Sequence, residues 1–183
     1  MGNGPRPKEL HVVGNQLVYL FDDGVSGTEL WRSDGTDAGT RLLKETRPGK
    51  DSISPAHFQS AGRYLYFRSL ISDPQLELWR TDGTAEGTVL VKGISSDWSD
   101  GGWEQASCGD NIVFTLQKEA RNQLWWSDGS EAGTRPLGVG GAASVAATEK
   151  GIFILTNPGQ SAESTLYALR GGTLQRVTSL PKS

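Results

Sequence analysis

Residues 29–40 read ELWRSDGTDAGT, residues 77–88 read ELWRTDGTAEGT, and residues 123–134 read QLWWSDGSEAGT. A match of that length does not arise three times by chance, so one structural unit is used repeatedly. A decayed fourth copy at residues 165–173, TLYALRGGT, lacks the Asp-Gly pair. The Leu of each copy (Leu30, Leu78, Leu124, Leu166) follows the last at spacings of 48, 46 and 42 residues. The period decides the fold.

Within each period four short apolar segments recur, bounded by turn residues. They are expected at 9–13, 16–21, 28–33 and 40–44, then at 56–61, 63–69, 76–81 and 88–92. The later sets fall at 104–108, 111–116, 123–127 and 134–137, and at 144–148, 151–156, 165–169 and 173–177. Gly14-Asn15 is a tight hairpin signal, and the Asp34 to Gly39 stretch joins the third segment to the fourth. No apolar run holds a 3.6-residue period long enough for a helix. Neighbours such as Leu30 and Trp31, or Tyr19, Leu20 and Phe21, point to opposite sheet faces, yet all are large and apolar. Such strands are covered on both sides. Four antiparallel strands per 42–48 residues, with both faces covered, make an all-β chain: a β-propeller of four four-stranded blades. Blades are expected at about 8–46, 55–94, 103–139 and 144–180, in a single domain. Ring closure within one monomer is the first expectation. Half of an eight-bladed homodimer, or a stretch of a longer array, are the alternatives.

Composition narrows the partners. Eighteen Lys and Arg against 21 Asp and Glu leave a net charge of −3, which argues against nucleic acid. Apolar runs are strand-sized, so no membrane insertion is expected. Twenty-four glycines in 183 residues, without a Gly-X-Y period, fit many tight turns. Cys108 stands alone, so an internal disulfide is excluded. The first residues carry no apolar core for a signal peptide.

Residues 21–40, FDDGVSGTELWRSDGTDAGT, resemble a bacterial repeat of the form ELWxSDGTxxGTxLVKDI, found in tandem in large extracytoplasmic proteins, for example of myxobacteria. Residues 47–55, RPGKDSISP, are similar to that family's connection between blades. The resemblance is strong in the first two repeats, moderate in the third and weak in the fourth. It implies a propeller-like scaffold in a secreted or cell-surface protein, and it brings no catalytic residues.

Two kinds of site stand out. In the Asp-Gly-Thr-x-x-Gly-Thr turn, Asp34, Asp37 and the Thr40 hydroxyl are oxygen donors that could suit calcium. The second acid shifts register, however, from Asp37 to Glu86 to Glu131. An Asx-type turn with Gly35 and Gly39 at positive φ is the simpler reading, with no metal and no cofactor. The second kind is the loop face between second and third strands and between blades. There residues 95–103, SSDWSDGGW, depart from the repeat and gather Asp97, Trp98, Asp100 and Trp103. Asp22, Asp23, Arg47 and Arg121 lie in other loops of that face. Aromatic rings flanked by carboxylates suit a glycan or a protein ligand. The sequence reading is therefore a non-catalytic binding module centred on Trp98, not an enzyme. A structural unit without a ligand is the alternative, and a hydrolase using Asp22, Asp23 or Asp97 the least favoured.

Overall fold

A computed structural model describes residues 6–46, 54–72, 75–94, 97, 99, 104–119, 121–157 and 163–180. Every regular element among them is a strand. The first sheet holds β1 (Lys8–Val13), β2 (Gln16–Asp22), β3 (Thr28–Ser33) and β4 (Arg41–Lys44). The second holds β5 (Ser54–Ala61), β6 (Tyr64–Ser72), β7 (Gln75–Thr81) and β8 (Val89–Ile94). The third holds β9 (Gln105–Cys108), β10 (Asn111–Lys118), β11 (Arg121–Ser127) and β12 (Arg135–Gly140). The fourth holds β13 (Ala142–Thr148), β14 (Gly151–Asn157), β15 (Ser164–Arg170) and β16 (Thr173–Leu180). In each, strands pair antiparallel in sequence order, so every repeat is one four-stranded blade of a β-propeller-like fold.

Two details differ from expectation. Thr40, Thr88 and Thr134 precede the fourth strands, because their hydroxyls are engaged inside the turns. The loop expected at 117–122 is a hairpin, with Lys118 opposite Arg121, so Arg121 begins a strand. A register shift at or beside the third-strand Trp recurs in the pairing of β3 with β4 and of β7 with β8. An extra residue at this point turns the outer strand and raises the local twist.

Among the described residues three buried clusters lie between blades. Val18, Leu20 and Leu30 of the first blade meet Leu65, Phe67 and Trp79 of the second. Tyr66, Leu76 and Leu78 of the second meet Ile112, Phe114 and Trp125 of the third. Val113, Leu124 and Trp126 of the third meet Ile152, Ile154 and Leu169 of the fourth. One face of each inner blade thus serves each neighbour, which is why apolar residues run consecutively along their strands. Among the described residues no buried cluster, aromatic contact or hydrogen bond joins the fourth blade to the first.

The third-strand Trp records the same asymmetry. Trp79 is 9% exposed and Trp125 5% exposed. Trp31, their counterpart, is only half-buried.

Candidate functional site

The repeated turn is a self-contained hydrogen-bonded unit. Asp34 Oδ1 accepts the Thr36 N–H at 2.9 Å and the Thr36 hydroxyl at 2.7 Å. Thr36 Oγ1 accepts the Gly39 N–H at 2.9 Å, and the Thr40 hydroxyl donates to the Thr36 carbonyl at 2.7 Å. The same bonds recur around Asp82 and Asp128. The Thr36 hydroxyl, then its N–H, holds the Asp34 carboxyl below its usual 3.8. Gly35 has the expected positive φ, at 89°. Gly39 does not; it is required because a Cβ there would strike the Asp34 carboxylate, and Gly87 and Gly133 stand against Asp82 and Asp128 in the same way. Asp34 Oδ1, Thr36 Oγ1 and Thr40 Oγ1 are thus engaged in building the turn.

On the loop face the expected residues are dispersed. Asp22 ends β2 opposite Thr28, and its Oδ1 accepts the Gly24 N–H at 2.8 Å. Asp23 Oδ1 accepts the N–H groups of Val25 at 2.8 Å and Ser26 at 2.7 Å. Those bonds, the one from Ser26 foremost, lower the Asp23 carboxyl, which suits an ionised turn cap rather than a proton donor. Asp97 is exposed, 3.4 Å from Lys118 Nζ, and Arg121 is exposed at the start of β11. No hydrogen bond or ion pair among the described residues brings Asp22 or Asp23 to Asp97 or Arg121. Arg47, Trp98, Asp100 and Trp103 lie outside the described residues. Asp22 does border a cleft of about 180 Å³ with Arg6, Lys8 and Phe21. That is smaller than the roughly 300–1,000 Å³ of most small-molecule sites.

What sequence reasoning missed are the basic groups that join the blades. Arg32 Nη1 donates to the Gly83 carbonyl of the next blade at 3.2 Å. Lys44 Nζ donates to the Thr88 carbonyl at 2.6 Å and the Ala85 carbonyl at 3.3 Å. One blade on, Lys92 Nζ reaches the Glu131 carbonyl at 3.1 Å, and the Arg80 guanidinium lies against Gly129 and over the Tyr64 ring at 4.2 Å. The first and second blades therefore each clasp the Asp-Gly turn of the blade that follows. The signal was visible as a basic residue after Trp31 and Trp79 and another four residues after the last Thr of the turn, at Lys44 and Lys92.

Comparison with solved structures agrees on architecture. Four propeller blades stand side by side. A prolyl endopeptidase matches with a TM-score of 0.57 at 13% identity, over 94% of this chain and 26% of its own. A puromycin hydrolase matches at 0.58 and 16% identity, over 97% and 30%. Prolyl oligopeptidase B from Galerina marginata, bound to a 25mer macrocyclization substrate, matches at 0.55 and 13% identity, over 91% and 25%. No protein-family model matches the sequence, and no curated protein does. The likeness shows the fold, and this chain spans about a quarter to a third of these three proteins. These neighbours are peptidases and a hydrolase, not glycan- or protein-binding modules. The reading of a non-catalytic module that binds a glycan or protein through the face around Trp98 is corrected accordingly, and no specific function follows from the fold.

Proposed function

We propose that this chain is the propeller portion of a larger hydrolase, walling the approach to a catalytic centre that it does not itself supply. The carrying observation is the junction pattern: three buried clusters serve four blades, and the first blade's outer face is left half-covered. A wall built from such blades needs neighbours. Supporting it, three solved structures that it resembles are hydrolytic enzymes of which it spans a fraction. The acidic candidates are engaged in local structure, Asp22 and Asp23 as turn caps and Asp97 with Lys118. Of the histidines, His11 stacks on Phe58 at 4.6 Å, a packing contact across the first junction.

The test isolates the native assembly from its source cell through a tag on this chain. Its mass is measured, and it is assayed with chromogenic peptide amides and a fluorophosphonate probe. Turnover and labelling in a high-mass fraction, absent from the isolated 183-residue chain, would support the proposal. Turnover by the isolated chain, or a high-mass fraction without hydrolase activity, would overturn it.

A further inference from the structure

The two ends of the blade row are chemically unlike. In the second blade, Leu65, Phe67 and Trp79 share the face turned to the first blade, and they are 0%, 0% and 9% exposed. In the third, Ile112, Phe114 and Trp125 occupy the same places at 3%, 2% and 5%. The register of β2 with β3 puts Leu17, Tyr19 and Trp31 at the equivalent positions of the first blade, and all three are only half-buried. Phe21 extends this face, edge-on to Trp31 at 5.3 Å. The Trp31 indole N–H has no partner.

The turn beneath that face is equally bare. Gly83 and Gly129 meet side chains of the preceding blade, whereas nothing lies within 4 Å of a Cβ built on Gly35. The carbonyls of Asp37 and Thr40 correspond to those of Ala85 and Thr88, which Lys44 clasps. Nor can the far end of the row supply what is missing. At the position of Arg32 the fourth blade carries Ala168, opposite Phe153 as Arg32 is opposite Val18. Where Lys44 stands opposite Leu30 in the first blade, the fourth carries Thr178 opposite Leu166, exposed and uncharged.

Extending the reading of this chain as part of a larger propeller, we infer that the outer face of the first blade, made of Leu17, Tyr19, Phe21 and Trp31 above the Gly35 turn, docks a further repeat blade. That blade presents an arginine and a lysine at the positions of Arg32 and Lys44. The arginine reaches the Gly35 carbonyl and the lysine the carbonyls of Asp37 and Thr40, while its apolar face covers Trp31. The occupant follows from continuity with two junctions of this molecule, both made by that pair of cations on that turn. A second copy of this chain would have to offer its fourth blade, which lacks both.

The experiment places a copy of residues 54–103 ahead of Arg6 in the full chain and follows amide exchange of the peptide 16–33, whose sequence stays unique. Protection of that peptide should rise at least tenfold. Most of the gain should vanish when Arg80→Ala and Lys92→Ala are made in the added copy alone. Unchanged protection, or a gain indifferent to both alanines, would overturn the inference. Sedimentation of the unextended chain supplies the other arm: a dimer dissolved by Trp31→Ser would show that a second copy is the occupant and overturn it too. A monomer is the expected result. Hydrolase activity without docking refutes this inference alone, and docking without hydrolase activity refutes only the function proposed above.

Discussion

Trp79 and Trp31 are the same residue of one repeat in two surroundings, and they should respond differently to truncation. Trp79 is packed between two blades, stacked on Phe67 at 6.2 Å, with its indole N–H donated to Glu77 at 2.8 Å. Trp79→Ala should cost about 3–5 kcal/mol, as truncation of a buried aromatic does. Trp31→Ala removes a half-covered ring and should cost about 1–2 kcal/mol. Urea unfolding of both variants checks the ratio. Equal losses would mean that the first blade's outer face is already filled. The turn glycines allow a second comparison. Gly87→Ala drives a methyl into the Asp82 carboxylate and should destabilise by about 1–3 kcal/mol. Gly93→Ala meets open space, and its effect should stay within about 0.5 kcal/mol. The requirement at Gly87 could not be read from the sequence, where a glycine demanded by space looks the same as one demanded by φ.

At the scale of elements, the turn carboxylates couple the hairpins to pH. Partial burial of Asp82 opposes its ionisation, but hydrogen bonds from the Thr84 hydroxyl and N–H outweigh it and hold the group below 3.8. Asp128 is lowered likewise, by the Ser130 hydroxyl first and its N–H next. A carboxylate with a lowered folded value contributes stability in full above its unfolded value, and that contribution is lost as pH falls through the folded one. Thr84→Val removes one donor, raises the Asp82 value, and should move the acid unfolding transition to higher pH, as followed by circular dichroism. An unchanged or lowered midpoint would show that the turn does not anchor β7 to β8. The strand pattern was legible to within a few residues, because alternation and the Asp-Gly turns mark hairpins directly. Departures came where local hydrogen bonding decided the boundary, as at Thr40, or where a loop without the repeat's signature closed into a hairpin, as at Lys118 and Arg121.

For the whole molecule, blade number and blade packing were readable from the 42–48-residue period. Whether the ends meet was not, since a period counts units without saying how many neighbours each has. The candidate site was less legible still. Loops that break the repeat are where repeat reasoning has least to say, and four of the eight residues singled out there fall outside the described structure. In a row of units that each touch only their neighbours, the inner units are held from two sides and the end units from one. Amide exchange should therefore be slowest in β6, β7, β10 and β11 and faster in β2, β3, β14 and β15. Uniform protection across all four blades would indicate a closed ring.

The replacement of a cation by Ala168 gives the row a polarity. A tile with matching edges on both sides invites copy after copy to add, and such head-to-tail addition ends in fibres unless the rotation closes. With the cation absent from the fourth blade's edge, copies of this chain lack the match that head-to-tail addition would need.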